Sequence, residues 1–335
     1  MIINNNTIEY KEKLELQYNQ RMNALLVELP SFCTEYEIYL REKNSLKTRM
    51  EYIFDIYNFF KYLVKVDKEI KTVSDVTAQT LEKLTGADFD KYLEWLSNYK
   101  FDEKNENEKP KSNSQASKKR KIMSIKSLYS FLSVKGYIST NPSLEVTVPK
   151  ITKKPKEEVT ILTDAQCRSF MNIIDVNYKR AKKKLSETAE NKQNPKDKMR
   201  PHLVVRDKAI ALLMLDTGLR VSELCAINCG DISFNPGSLD VVRMGEGDGK
   251  TISRIELSEE VLDILKHYLY DARDNIGANE DNFDALFLSS IHRRITPRSV
   301  ELMVKKYAAE ALGKDHTVHP RALRSTFESR NTVAD

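Results

Sequence analysis

The chain has 335 residues, enough for two domains of ordinary size with separate cores, and its 54 Lys+Arg against 49 Asp+Glu leave a net charge of +5. So small an excess does not by itself call for a polyanionic partner; only its distribution along the chain does. No apolar run approaches the roughly 20 residues a membrane helix needs, and residues 1–11 lack the apolar core of a signal peptide, so a cytoplasmic protein without a membrane role is expected.

In chain order, residues 31–43 and 45–66 predict amphipathic helices, the second with Tyr52, Ile53, Ile56, Phe60 and Leu63 at helical spacing, and with Ser31 and Ser45 as caps. A third helix is predicted over 88–99, with Tyr92, Leu93 and Trp95 on an aromatic inner face. Ser117 is expected to cap a fourth that runs to Val134 and stops at Gly136. Residues 100–116 and 179–199 are polar and charged, which predicts surface loops. Residues 148–155 are basic, proline-punctuated and aperiodic, as an interdomain linker is. The expected organisation is an N-terminal extension over 1–27, a helical domain over 28–147, a linker over 148–158 and a second domain over 159–335.

The second domain opens with a helix capped by Thr163. Residues 206–227 form an apolar helical stretch interrupted at Thr217-Gly218, which predicts two helices meeting there, since a glycine inside a helix costs about 1 kcal/mol. Residues 232–234, 239–244 and 251–257 predict a small antiparallel sheet, with Gly245-Glu246-Gly247-Asp248-Gly249 as the turn between the last two strands. Helices over 259–272, 296–312 and 320–328 follow, the second with Pro297 in its first turn and Gly313 at its end. The fold class is therefore mainly α with a small antiparallel β-sheet. Cys33, Cys167, Cys225 and Cys229 are too scattered for a disulfide framework; Cys225 and Cys229 sit four apart without a neighbouring His, so no metal or cofactor is expected.

Two arginines carry the candidate chemistry. Residues 217–224 read Thr-Gly-Leu-Arg-Val-Ser-Glu-Leu, and residues 322–327 read Ala-Leu-Arg-Ser-Thr-Phe. The planar guanidinium fork holds a phosphodiester and its developing charge better than an ammonium does. The plain alternatives are an i,i+3 pair of Arg220 with Glu223 and a solvated helix arginine at 324. The apolar run 212–215 places Arg220 at a buried helix start, where an unpaired charge is costly.

Together with Leu286-Phe287-Leu288-Ser289 and the helix 298–309 in the expected order, this pairing resembles the tyrosine recombinase, or phage integrase, family over about residues 28–330, and is similar to Xer-like and conjugative-element integrases of Gram-positive type. The resemblance implies a helical core-binding domain, a recombinase catalytic domain, double-stranded DNA as partner, and DNA breakage and rejoining without metal or nucleotide. It makes Arg220 and Arg324 the clamp on the scissile phosphate and Glu223 the buttress of the first.

Other family positions depart. Family turns often read Gly-Lys-Gly, where the lysine is general acid; here Glu246 stands there and Lys250 is the only ammonium nearby. Arg321 occupies the family's histidine position, keeping a cation that cannot trade protons near neutral pH. His319, two residues earlier, is expected to face elsewhere, and Ser325 stands where many relatives have a further histidine. No tyrosine follows Arg324 before the final Val333-Ala334-Asp335, and Tyr307 lies in the apolar stripe Val304, Tyr307, Ala308. The catalytic-type domain thus reads as lacking its C-terminal end, so the chain is expected to bind DNA, fail to cleave it, and self-associate on it weakly. Expected phosphate contacts are Lys47 and Arg49 at one helix start, Lys118, Lys119, Arg120, Lys121 and Lys126 at another, and Lys150, Lys153 and Lys154 in the linker. The rival readings are a non-catalytic DNA-binding regulator or decayed mobile-element remnant, and a helical protein-interaction module that binds no DNA.

Overall fold

The computed structural model describes residues 5–100, 111–149, 161–244, 250–313, 316 and 318–332. The chain divides into two compact units, Glu12–Lys153, and Lys154–Asp335 with Met1–Lys11.

Helix α1 spans Asn5–Glu28, a helix that the reading of 1–27 as an extension did not foresee. In the Glu12–Lys153 unit follow α2 (Ser31–Leu40), α3 (Leu46–Val66), α4 (Ala78–Glu82), α5 (Gly86–Trp95) and α6 (Gln115–Val134). The core is aromatic: Phe59 stacks on Phe89, and Tyr92 and Tyr129 meet them edge-on at centroid distances of 5.0 and 5.7 Å. Each such ring is worth about 1.5–3 kcal/mol of burial before its pairing geometry adds to it. Ser45 caps α3 as expected. Two other caps differ. Pro30, not Ser31, precedes α2 and leaves it without a side-chain cap, while Ser114, not Ser117, caps α6. A helix begins at the first residue whose carbonyl joins the ladder, and at 114–117 two serines three residues apart compete for that role.

In the second unit, α7 (Asp164–Glu187), capped by Thr163, packs along α8 (Pro195–Thr217). The loop expected over 179–199 is therefore corrected: α7 continues through Lys179 to Glu187 and α8 begins at Pro195. Its polar composition hid a helical stripe, because Tyr178, Ala181 and Leu185 recur at i, i+3 and i+7 and are half-buried, while lysine and arginine are good helix formers. Helix α9 (Val221–Ala226) follows the break at Gly218. Strands β1 (Ile232–Ser233), β2 (Ser238–Met244) and β3 (Lys250–Glu256) form one antiparallel sheet in that order, with Leu239 opposite Ile255 and Val241 opposite Ser253. Residues 259–276 fold as α10 (Glu259–His267), a π-turn over Tyr268–Ala272 and α11 (Arg273–Ile276). Helices α12 (Pro297–Leu312) and α13 (Pro320–Thr332) end the chain's described part. The fold is mainly α with a small antiparallel sheet, and no helix among the described residues is long and apolar enough to cross a membrane.

Candidate functional site

The site is built where α8 stops. Gly218 takes the left-handed conformation (φ +60°, ψ +23°), its N–H bonding Met214 O at 3.1 Å, and this turns the chain sharply out of the helix. Leu219 then anchors in the core, and Arg220 is the extended N-cap of α9. Glu223, one turn on, accepts from the Arg220 backbone N–H at 2.8 Å and from its Nη1 at 2.9 Å. The carboxylate is nearly buried, at 9% exposure, whereas the Arg220 side chain is 61% exposed. The expectation of a buried Arg220 is thus corrected: the apolar run buries the helix up to Leu219, and the N-cap residue points outward. The buried member of the pair is Glu223, which fixes one edge of the fork and leaves the other N–H groups facing out.

Helix α13 supplies the opposite wall. Ala322, Leu323 and Thr326 face inward, and the Thr326 hydroxyl accepts from Leu162 N–H at 2.9 Å. That orientation brings Arg321, Arg324, Ser325 and Glu328 onto one face, where they line a cleft of about 410 Å³ with Leu219, Arg220 and Val221. Arg324 donates from Nε to Glu328 Oε1 at 2.7 Å, with its side chain 28% exposed. Three arginines therefore line the cleft with one carboxylate, Glu328, which holds one edge of Arg324, while Glu223 holds one edge of Arg220. Such a cleft has the chemistry of an anion site: preorganised N–H donors, a net positive charge, and room for a phosphodiester.

Of the residues singled out from the sequence, Arg220, Glu223, Arg321 and Arg324 are brought together here. Glu328 was missed, although its i,i+4 spacing from Arg324 signals the pair. His319, exposed just before α13, is not among the residues lining this cleft. Lys250 begins β3 opposite Met244, but its side chain and Glu246 lie outside the described residues. Tyr307 is fully buried and donates from its hydroxyl to Asp207 Oδ2 at 2.9 Å; burial first, then the Asp207 charge, holds the phenol far above its ordinary value. Cys225 is buried, its thiol pushed up to about 12, and no group of three or more His, Cys, Asp or Glu among the described residues is arranged to hold a metal.

In the Glu12–Lys153 unit five of the expected phosphate contacts, Arg49, Lys118, Arg120, Lys121 and Lys126, have partners within the unit. Asp55, fully buried, accepts from Lys121 Nζ at 2.9 Å and Ser124 Oγ at 3.0 Å, and pairs with Arg120 at 2.7 Å. Arg49 pairs with the buried Glu37, which also holds Arg41 at 2.8 Å. Lys118 is buried and donates to Ser97 Oγ at 2.6 Å, and Lys126 reaches Val146 O at 3.3 Å. Lys47 and Lys119 are exposed. Lys150, Lys153 and Lys154 lie outside the described residues.

Residues 185–330 match the model of the phage integrase family. Over 290 residues the chain is 28% identical to the tyrosine recombinase XerC of Caldanaerobacter subterraneus subsp. tengcongensis, covering 83% of this chain and 68% of the relative. It is 27% identical to XerD of Oceanobacillus iheyensis, over 86% of this chain and 80% of that one. Among solved structures it is similar to the Tn1549 transposon integrase in complex with circular intermediate DNA (TM-score 0.53, 18% identity, 90% of this chain and 87% of that one). It is also similar to the XerH site-specific recombinase bound to its difH substrate (TM-score 0.51, 15% identity, 87% of this chain and 70% of that one).

Proposed function

This chain belongs to the tyrosine recombinase, or phage integrase, family, and from that premise we propose that it binds duplex DNA, closes Arg220, Arg321 and Arg324 around one backbone phosphate, and does not cleave it. The observation that carries the reading is the convergence of three arginines from α9 and α13 on one cleft, with Glu223 and Glu328 each orienting a guanidinium and neither filling it. Arginine cannot give up its proton near neutral pH, so this cleft holds an anion and stabilises charge without acting as acid or base.

Cleavage in this chemistry needs a hydroxyl nucleophile at the phosphate. Among the described residues no tyrosine lines the cleft, and Tyr307 is committed to Asp207 in the core. Ser325 lines it, but no described base accepts from its hydroxyl to activate it. Lys47 and Lys119 are retained as proposed phosphate contacts, and Arg120, part-exposed beside Glu51 and Asp55, as a third.

The test is a gel-shift titration of duplex DNA together with incubation on a nicked half-site that traps covalent intermediates. The expected result is a shifted, salt-sensitive complex with no protein–DNA adduct. An adduct would overturn the non-cleaving part, and a chain that shifts no duplex at low salt would overturn the whole.

A further inference from the structure

The chain's positive charge is not spread evenly. Residues 179–200 hold nine Lys and Arg against three acids, Glu187, Glu190 and Asp197, so this one stretch carries +6 where the whole chain carries +5. The rest of the protein is close to neutral.

The stretch is built. It comprises the outer half of α7, a tight turn and the first turns of α8. Gln193 Nε2 closes the turn by donating to Leu185 O at 2.8 Å and Thr188 O at 2.9 Å, and Asn194 caps α8 through Asp197 N–H at 2.8 Å. Lys184 Nζ bridges the two helices to Asp197 Oδ1 at 2.6 Å.

All nine cations are exposed. Described ion pairs engage two of them, Lys183 with Glu187 and Lys184 with Asp197. Lys179 and Lys183, and Arg180 and Lys184, are like charges at i,i+4, a spacing that weakens a helix. Neighbours register the field: His202 is held below its ordinary value by burial and then by Lys182, and Lys306 by burial and then by Arg200. A rigid arm that keeps unneutralised cations together at some cost to its own helices fits an anionic partner of extended shape. Among the described residues of the stretch, Ala189 and Pro195 are the exposed apolar ones, too little for a protein-docking surface.

Helix α8 joins this arm to the cleft. Its 23 residues, at about 1.5 Å each, place the far end of the arm, at the start of α8, roughly 35 Å from Gly218, with the Lys184–Asp197 bridge at about 30 Å and the rest of the α7 cations nearer. At about 3.4 Å per base pair the longest of these distances is close to one turn of a duplex.

Resting on the DNA-binding reading above, we propose that the α7–α8 arm is a second, sequence-independent contact for duplex DNA. It takes the phosphate backbone up to about one helical turn from the phosphate held by Arg220 and Arg324.

The test is the salt dependence of duplex affinity for the full chain. Each phosphate contact removed should lower the slope of log K against log salt by about 0.9. The variants Lys179→Gln/Arg180→Gln/Lys183→Gln on α7 and Lys196→Gln/Lys198→Gln on α8 are expected to bind at least tenfold more weakly at low salt, with slopes shallower by about two to three and one to two units. A control, Lys68→Gln/Lys83→Gln/Lys135→Gln, removes the same charge from exposed lysines of the other unit and should leave the slope nearly unchanged. If wild type binds and both arm variants keep its slope, or the control lowers it equally, the arm proposal falls while the cleft reading stands. If wild type binds no duplex, both fall. The variants change only exposed side chains, and matching circular dichroism spectra establish that each is folded.

Discussion

The ring of Phe327 lies directly over Gly218, so that a Cβ placed on the glycine would collide with Phe327 Cδ1. Gly218 ends α8 two residues before Arg220, and Phe327 sits one turn beyond Arg324, so this contact sets how far apart the walls of the cleft stand. Gly218→Ala should fail twice over, through the left-handed backbone at φ +60° and through the ring it displaces. We expect a loss of about 2 kcal/mol or more in urea unfolding, within the usual range for backbone and overpacking lesions. Phe327→Leu with Gly218→Ala, which opens space over the Cβ, should recover part of that loss.

Arg324→Ala gives up a part-exposed pair with Glu328 and should cost at most about 1 kcal/mol of folding, whereas Arg220→Ala leaves the nearly buried Glu223 without its guanidinium and should cost about 1–3 kcal/mol. Their further cost should appear in duplex binding. A hydrogen bond to a charged group is worth about 1.5–3 kcal/mol, which is roughly ten- to a hundredfold in affinity for each arginine. On the proposed grip of both on one phosphate, the double variant should lose less than the sum. A strictly additive double variant, measured by fluorescence anisotropy, would mean that they serve different phosphates.

The arginine pair was legible because each arginine follows a buried leucine, Leu219 and Leu323, in a fixed helical phase, and the turn at Gly218 was legible from its glycine. What escaped was decided by tertiary pairing. Nothing local to Lys121 says that Asp55, 66 positions earlier, will accept from it inside the domain. The basic start of α6 therefore reads as a phosphate-facing surface although half of it turns inward. The α7–α8 arm escaped for the opposite reason: its composition is that of a loop, and only the pairing of its two helices reveals the stripe formed by Tyr178 and Leu185.

Asp55 should be the most sensitive charge in the Glu12–Lys153 unit. Asp55→Ala would strand the buried Lys121 ammonium and free one side of Arg120 and Ser124. Breaking a buried pair by removing one partner typically costs about 3–5 kcal/mol. Arg120→Gln, on the exposed side of the same cluster, should cost well under half of that. The comparison is read from chemical denaturation with a tryptophan probe, since Trp95 packs against Tyr92 and Tyr62 in the same core.

Alkali should unfold the protein before its buried phenols titrate freely. Burial raises the folded-state values of Tyr36, Tyr92, Tyr129 and Tyr307, and pushes Tyr268 to about 12. A group whose folded value is raised contributes stability that is fully present below the unfolded value near 10 and is lost as pH climbs toward the folded one. The melting temperature should therefore be insensitive to these groups at pH 8 and fall between about 10 and 12. The tyrosinate absorbance of the buried phenols should appear only with loss of the fold. A single fast phase accounting for all the phenols would contradict the burial described.

Tyr307→Phe separates a core tyrosine from a nucleophile. In the native packing the Tyr307 hydroxyl donates to Asp207 Oδ2, while Arg206 donates to Oδ1 and also holds Leu288 O at 2.6 Å. Removing the hydroxyl leaves one lone-pair site of a buried carboxylate unmet, a cost of about 1–3 kcal/mol in stability. Duplex affinity and its salt slope should be unchanged, because the ring stays packed edge-on against Phe170 and the cleft walls are untouched. The contrary pattern, unchanged stability together with a covalent DNA adduct that wild type forms and Tyr307→Phe does not, would require Tyr307 to leave the core and reach the phosphate. Asp207 and Phe170 hold it too firmly for that: the Tyr307 phenol is committed to the packing between α8 and α12.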